Sequence, residues 1–151
     1  DNFEEIATKI KNDEEFKVYG FQLIRKELRD TPKTSKLGKF SRRNLLLSLY
    51  DGITKGRYLK DSLQIHRLAM KLYNSYRKFG GIRNWDKTNI DIDFTIVACA
   101  MFYKLDIVVS DDSKTMLSKQ ALKAFKHISI KEAFRQPTFW KFSDLRTRYK
   151  F

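Results

Sequence analysis

The chain is short of several things, and each shortage excludes something. Its one cysteine, Cys99, cannot form an internal disulfide, so the fold does not call for an oxidising compartment. Cys99 lies in the apolar run 94–102, where a buried inert thiol is expected rather than a nucleophile. The two histidines, His66 and His127, are isolated, with no Cys/His spacing that would suggest zinc. No run of about 18 apolar residues and no signal-peptide pattern occurs, which points to a cytoplasmic protein with no membrane partner. Acid is the last scarcity. Only 18 Asp and Glu stand against 31 Lys and Arg, a formal net charge of +13.

Such an excess raises the local concentration of polyanions and speeds their arrival, so nucleic acid is the partner class it favours. A Lys-rich surface serving only solubility is the plainer alternative. What is present fits a globular domain: 151 residues, 42% hydrophobic and 14% aromatic, suit a single domain rather than a disordered chain.

Apolar periodicity predicts an opening helix on Phe3, Ile6, Ala7 and Ile10. Residues 16–21 alternate as a strand, and 22–29 form a helix closed by Thr31-Pro32. Residues 31–50 hold no acid at all; a mobile basic loop over 33–43 leads into a helix around 45–50. A helix opening at Asp61 carries Ile65, Leu68, Ala69, Leu72, Tyr73 and Tyr76 on one face and stops at Gly80-Gly81. Tyr73, Tyr76 and Phe79 are core residues by this reading, with stacking on bases as the alternative. A buried helix over about 93–104 precedes a strand at 106–110. A helix at about 114–126, a strand at 127–130 and a helix at 131–135 ended by Pro137 follow; the tail 139–151 has no assignment. Strands alternating with helices predict an α/β fold, a parallel sheet covered on both faces.

In such a sheet, functional groups gather beyond the carboxyl ends of the strands. Asp111 and Asp112 follow the strand at 106–110. The helix before it runs back along it: twelve helical residues span roughly 18 Å and five strand residues roughly 17 Å, which returns Asp93 to the side of Asp112. Glu27 can approach the same rim. Each acid has a plainer use as a helix cap, Asp91 or Asp93 for one helix and Asp111, Asp112 or Ser113 for the next. Several carboxylates on one edge repel unless a cation neutralises them, and oxygen ligands suit Mg²⁺ or Mn²⁺. Bound metal there would support phosphodiester hydrolysis without a histidine base. Lys33, Lys36, Lys39, Arg42 and Arg43 are the candidate phosphate contacts.

The stretch Asp93-Phe-Thr-Ile-Val-Ala-Cys-Ala, followed by Leu105-Asp-Ile-Val-Val-Ser-Asp-Asp, resembles the signature of PIN-domain nucleases. In that family an acid opens a buried Ala-rich helix and a hydrophobic strand ends in Thr/Ser-x-Asp. Residues 17–28 resemble its other acidic segment, and the likeness extends over about 1–135. It implies a three-layer α/β/α sandwich with a central parallel sheet, and a Mg²⁺- or Mn²⁺-dependent endoribonuclease acting on RNA. Glu27, Asp93 and Asp112 would be the catalytic, metal-binding acids, with Asp111 a further metal neighbour, Asp91 a less certain one and Ser110 at the hydroxyl position. A toxin role with a cognate antitoxin, an assembly partner or a homodimer is compatible with the resemblance. The family also opens with a strand ending in Asp-Thr/Ser-Asn, which Asp1-Asn2 does not match. The expectation is that about 10 to 25 upstream residues supply it. Two rivals remain, an RNA-binding module without catalysis and a protein-interaction module on a degenerate scaffold of this kind.

Overall fold

The computed structural model describes residues 3–32, 34, 36–37, 40–85 and 90–151, which fall into two compact units. Asp1–Asp61 with Arg146–Phe151 make the first, and Ser62–Leu145 the second.

In the first unit, α1 (Phe3–Asn12), α2 (Gln22–Arg29) and α3 (Arg42–Thr54) are the main elements, with α3 packed on both others. Strand β1 (Gly20–Phe21) pairs in parallel with β4 (Tyr58–Leu59). Only glycine permits that approach, because a Cβ at Gly20 would lie 2.6 Å from the Tyr58 ring. Asp51 accepts both Nε and Nη2 of Arg25, at 3.1 and 3.0 Å, and the Tyr58 hydroxyl. The Arg25 guanidinium, then the Tyr58 hydroxyl, hold its carboxyl below the usual carboxylate range. At the chain's end, Arg148 reaches Asp13 at 3.0 Å and Glu15 at 2.8 Å while stacking over Phe16.

The basic segment is not the expected loop. Strands β2 (Lys36–Leu37) and β3 (Phe40–Ser41) pair antiparallel, and Ser41 caps α3 by accepting from the Asn44 amide. The helix therefore starts at Arg42, earlier than the apolar residues alone indicate.

The second unit is built around α4 (Leu63–Lys78), α5 (Ile90–Phe102) and α6 (Lys119–Lys131). Helix α5 buries Ile90, Phe94, Thr95, Val97, Ala98, Cys99, Ala100 and Met101, so nearly its whole circumference is enclosed. Helix α4 packs on both α5 and α6. Phe94 joins them through edge-on contacts with Tyr76 at 5.2 Å and Phe125 at 5.4 Å between ring centres. Gly80, at φ +93°, ends α4: its amide bonds Arg77 O, and the Gly81 amide bonds Tyr76 O. Strand β5 (Ile107–Val109) pairs in parallel with β6 (Thr138–Trp140), and α7 (Phe142–Arg148) follows.

Four further expectations need correction. The α/β/α sandwich with a central parallel sheet does not form. Among the described residues each sheet has two strands, two or three residues long, and the two parallel pairs belong to different units. A central parallel strand is buried on both faces; here Val109 is 47% exposed, and helices provide most of the core. The strand expected at 16–21 is paired only at Gly20–Phe21. Its side chains do alternate in burial over 16–19, but the Val18 carbonyl accepts Arg57 Nε instead of a neighbouring strand. The expected break at His127 is also absent: α6 runs through 127–130 to Lys131, and the 114–118 segment before it is turn. Ala121, Ala124, Phe125 and Ile128 bury one helical stripe, and that packing overrides the strand preference of Ile128 and Ile130. No helix forms at 131–135, because Ala133 takes a left-handed φ of +56° and the Phe134 amide closes on Ser129 O.

Among the described residues no helix is long and apolar enough to cross a membrane.

Phe94 is fully buried between three aromatic neighbours, Tyr73, Tyr76 and Phe125. Phe94→Ala should therefore cost about 3–5 kcal/mol, read by urea unfolding of both proteins. A loss below about 1 kcal/mol would mean that these rings do not organise the unit.

Candidate functional site

The candidate acids lie in both units. Glu27 is exposed on α2 of the first; Asp91, Asp93, Ser110, Asp111 and Asp112 belong to the second. Asp91 and Asp93 occupy the first turn of α5, half-buried, where the positive end of the helix dipole favours them. The Asp91 carbonyl accepts the Thr95 hydroxyl at 2.6 Å. At its other end, α5 closes through Lys104, at φ +57°, with the Leu105 amide bonded to Ala100 O at 2.8 Å. The chain then enters β5, which packs against α5.

Ser110, Asp111 and Asp112 follow β5 directly, at the carboxyl end of the parallel pair with β6. The ladder is extended by the Ser110 amide on Trp140 O at 2.9 Å and the Thr138 amide on Asp106 O at 2.8 Å. Each polar group in this turn has a structural task. Ser110 Oγ accepts the Asp112 amide at 3.1 Å. Asp112 Oδ1 accepts the amides of Lys114 and Thr115 at 3.1 and 3.0 Å, fixing the turn that leads toward α6. Asp111 Oδ1 accepts the amide of Phe142, the first residue of α7, at 2.9 Å. Helix α6 is capped instead by Ser118, which accepts the Ala121 amide. Capping was the plainer use foreseen for Asp111 and Asp112. Asp112 serves the turn directly ahead, whereas Asp111 serves a helix that begins thirty-one residues further on.

Among the described residues no group of three or more His, Cys, Asp or Glu is arranged to hold a metal ion. A hydrated Mg²⁺ needs less, since it keeps several waters and uses one or two carboxylates together with substrate phosphates. Both hydrogen bonds to Asp112 fall on Oδ1, so Oδ2 is the oxygen that fits such a ligand role.

Of the candidate phosphate contacts, Lys33 and Lys39 lie outside the described residues, as does the side chain of Lys36. Arg42 and Arg43 open α3, Arg42 exposed and Arg43 half-buried.

A second basic site had no forecast. A cleft of about 200 Å³ lies between α4 and α6, lined by Lys71, Asn74, Ser75 and Lys78 on one side and by His127 and Lys131 on the other. The apolar Ile128 and Glu132, which caps the end of α6, complete it, and Glu132 pairs with Lys71 at 2.5 Å. The Lys71 ammonium beside Glu132 lowers the carboxyl's pKa. Ser75 is 5% exposed, and its hydroxyl has no hydrogen-bond partner. A signal was available, because residues 71, 74, 75 and 78 form an i, i+3, i+4, i+7 polar stripe. Assigning His127 to a strand hid its i, i+4 relation to Lys131.

No family model matches the chain, and no curated protein or solved structure matches it either.

Asp112→Ala should remove the acceptor of two amides and cost about 0.5–2 kcal/mol. Asp112→Asn keeps an oxygen in that place and should stay within about 0.5 kcal/mol of the parent. Thermal melts of the two variants check this. Equal losses would mean that the charge of Asp112, not its acceptor, holds the turn.

Proposed function

We propose that this protein is a divalent-metal-dependent ribonuclease whose chemistry depends on Asp93 and Asp112. One observation carries the reading: an acidic turn with a hydroxyl, Ser110-Asp111-Asp112, follows β5, and backbone amides hold both of its carboxylates in fixed orientations. Two features support it. The helix that packs on this strand opens with two more acids, Asp91 and Asp93. The net charge of +13 draws polyanions to a protein whose own acids would otherwise repel them.

In this reading Asp93 and Asp112 would hold Mg²⁺ or Mn²⁺, with Asp111 and Ser110 beside them. Bound there, the metal would polarise a scissile phosphate and lower the pKa of a coordinated water. The chain's own contribution is to fix the carboxylates before RNA arrives. The Lys114 and Thr115 amides hold Asp112 in one orientation, and the Phe142 amide does so for Asp111. Lysines and arginines elsewhere on the surface bind flanking phosphates and add affinity without sequence preference.

The same hydrogen bonds favour a second reading. Because Asp111 and Asp112 each have a structural use, the chain could bind RNA through charge alone, its acids serving only as caps.

Cleavage separates the two. With a labelled single-stranded RNA and Mg²⁺ or Mn²⁺, the protein should cut, and EDTA should abolish cutting. Asp93→Asn should lower the rate on the order of 100-fold or more while leaving RNA affinity nearly unchanged. Absence of metal-dependent cleavage, or full activity in Asp93→Asn, would hand the argument to the binding module.

A further inference from the structure

We infer that the cleft between α4 and α6 holds a backbone phosphate of single-stranded RNA, with the adjoining Phe79–His127 ring pair receiving a neighbouring base. The inference rests on the reading that RNA is the ligand, but not on catalysis.

Charge comes first. Three ammonium groups, Lys71, Lys78 and Lys131, face one carboxylate, Glu132, so the cleft keeps a net positive charge after the Lys71–Glu132 pair is counted. Hydrogen bonding comes second. Lys71, Asn74, Ser75 and Lys78 project from one face of α4, and all can donate. The Ser75 hydroxyl, like that of Ser129 on α6, is buried and lacks a partner, an unusual state for a buried donor. Ser75 lines the cleft, so a turn of its side chain toward an oxyanion seated there would supply the missing acceptor. At about 200 Å³ the space is several times the roughly 30 Å³ share of a water molecule.

The aromatic pair selects the kind of anion. Phe79 and His127 meet edge to face with ring centres 5.9 Å apart, and His127 also lines the cleft. Phe79 is 41% exposed, whereas Tyr76 on the same helix is buried. A basic cleft beside an exposed ring suits a nucleotide, its phosphate on lysine and its base stacked on the ring. An acidic peptide offers carboxylates but no base to stack.

A plainer account exists for part of this. Lys78 and Lys131 are the last residues of α4 and α6, where cations complement the helix dipole. That explains two charges. It leaves the orphan Ser75 hydroxyl and the exposed Phe79 without a role.

The test is anisotropy titration of a fluorescein-labelled oligouridylate in EDTA, so that binding is read without cleavage. Lys78→Gln with Lys131→Gln should weaken binding about tenfold and reduce the slope of log affinity against log salt by about 0.7, the loss of one phosphate contact. Phe79→Ala should weaken binding at least about fivefold. Ser75→Ala should weaken it severalfold without lowering the melting temperature. These positions other than Ser75 are exposed, and melting temperatures show whether each variant is folded. Unchanged affinity and slope in the lysine variant would overturn the inference and leave those lysines to the helix ends. Competition by oligoglutamate as strong as by unlabelled RNA would also overturn it. Reduced binding in that variant, with no cleavage by the parent protein, would keep the cleft and remove the nuclease. Cleavage by the parent with unaltered binding in the variant would do the reverse.

Discussion

Enclosure of α5 is the constraint on which the second unit depends. A helix reading Phe-Thr-Ile-Val-Ala-Cys-Ala-Met has almost no polar side on which to meet water, so other elements must cover it. Helix α4 packs along it, and α6 joins through the Phe94–Phe125 contact. Burial of this kind also dictates where the acids can go. Charge is excluded from the body of α5 and admitted only in its first turn, where Asp91 and Asp93 lie half-buried. The other end closes through a left-handed Lys104 and passes the chain into β5, whose far end carries Ser110, Asp111 and Asp112. Packing therefore sets where both groups of acids stand along one continuous segment.

Electrostatics in this protein work on two scales. Over the whole surface, an excess of thirteen positive charges favours polyanions. Locally, carboxylates are held by fixed donors: Asp51 by Arg25 and Tyr58, Asp13 by Tyr149 and Arg148, Asp112 by two amides. For Asp13 the Tyr149 hydroxyl is the largest influence lowering the carboxyl, ahead of Arg148. Capping and ligation are compatible uses for a carboxylate, because one oxygen can accept amides while the other meets a cation.

How much was legible beforehand varies with the kind of signal. The helix at 63–78 was clear because its apolar stripe and its Gly80-Gly81 stop agree, although its cap is Ser62 and not the Asp61 at which it was expected to open. The helix expected at about 93–104 and the strand at 106–110 were equally plain, though they lie at 90–102 and 107–109. The sheet was misjudged because alternation reports burial, not pairing. Residues 16–19 alternate between half-buried and exposed, yet one of their carbonyls is taken by Arg57. The partner of β5 lies in the tail at 138–140, where three residues are too few to show a period. His-Ile-Ser-Ile at 127–130 mimics a strand, but Ile130 is 74% exposed on a helix whose other face is core. The α4–α6 cleft required both helices in register, and one of them had been broken at the residue that matters.

The central claim is that a divalent cation binds where the first turn of α5 and the turn after β5 hold their carboxylates. Amide NMR with substoichiometric Mn²⁺ tests this directly, because the paramagnetic ion broadens nearby resonances whether or not catalysis follows. The account predicts selective broadening at residues 91–95 and 110–115, lost in Asp112→Asn while that variant keeps its fold. Broadening elsewhere, or none at concentrations where Mn²⁺ is in excess of the protein, would contradict it.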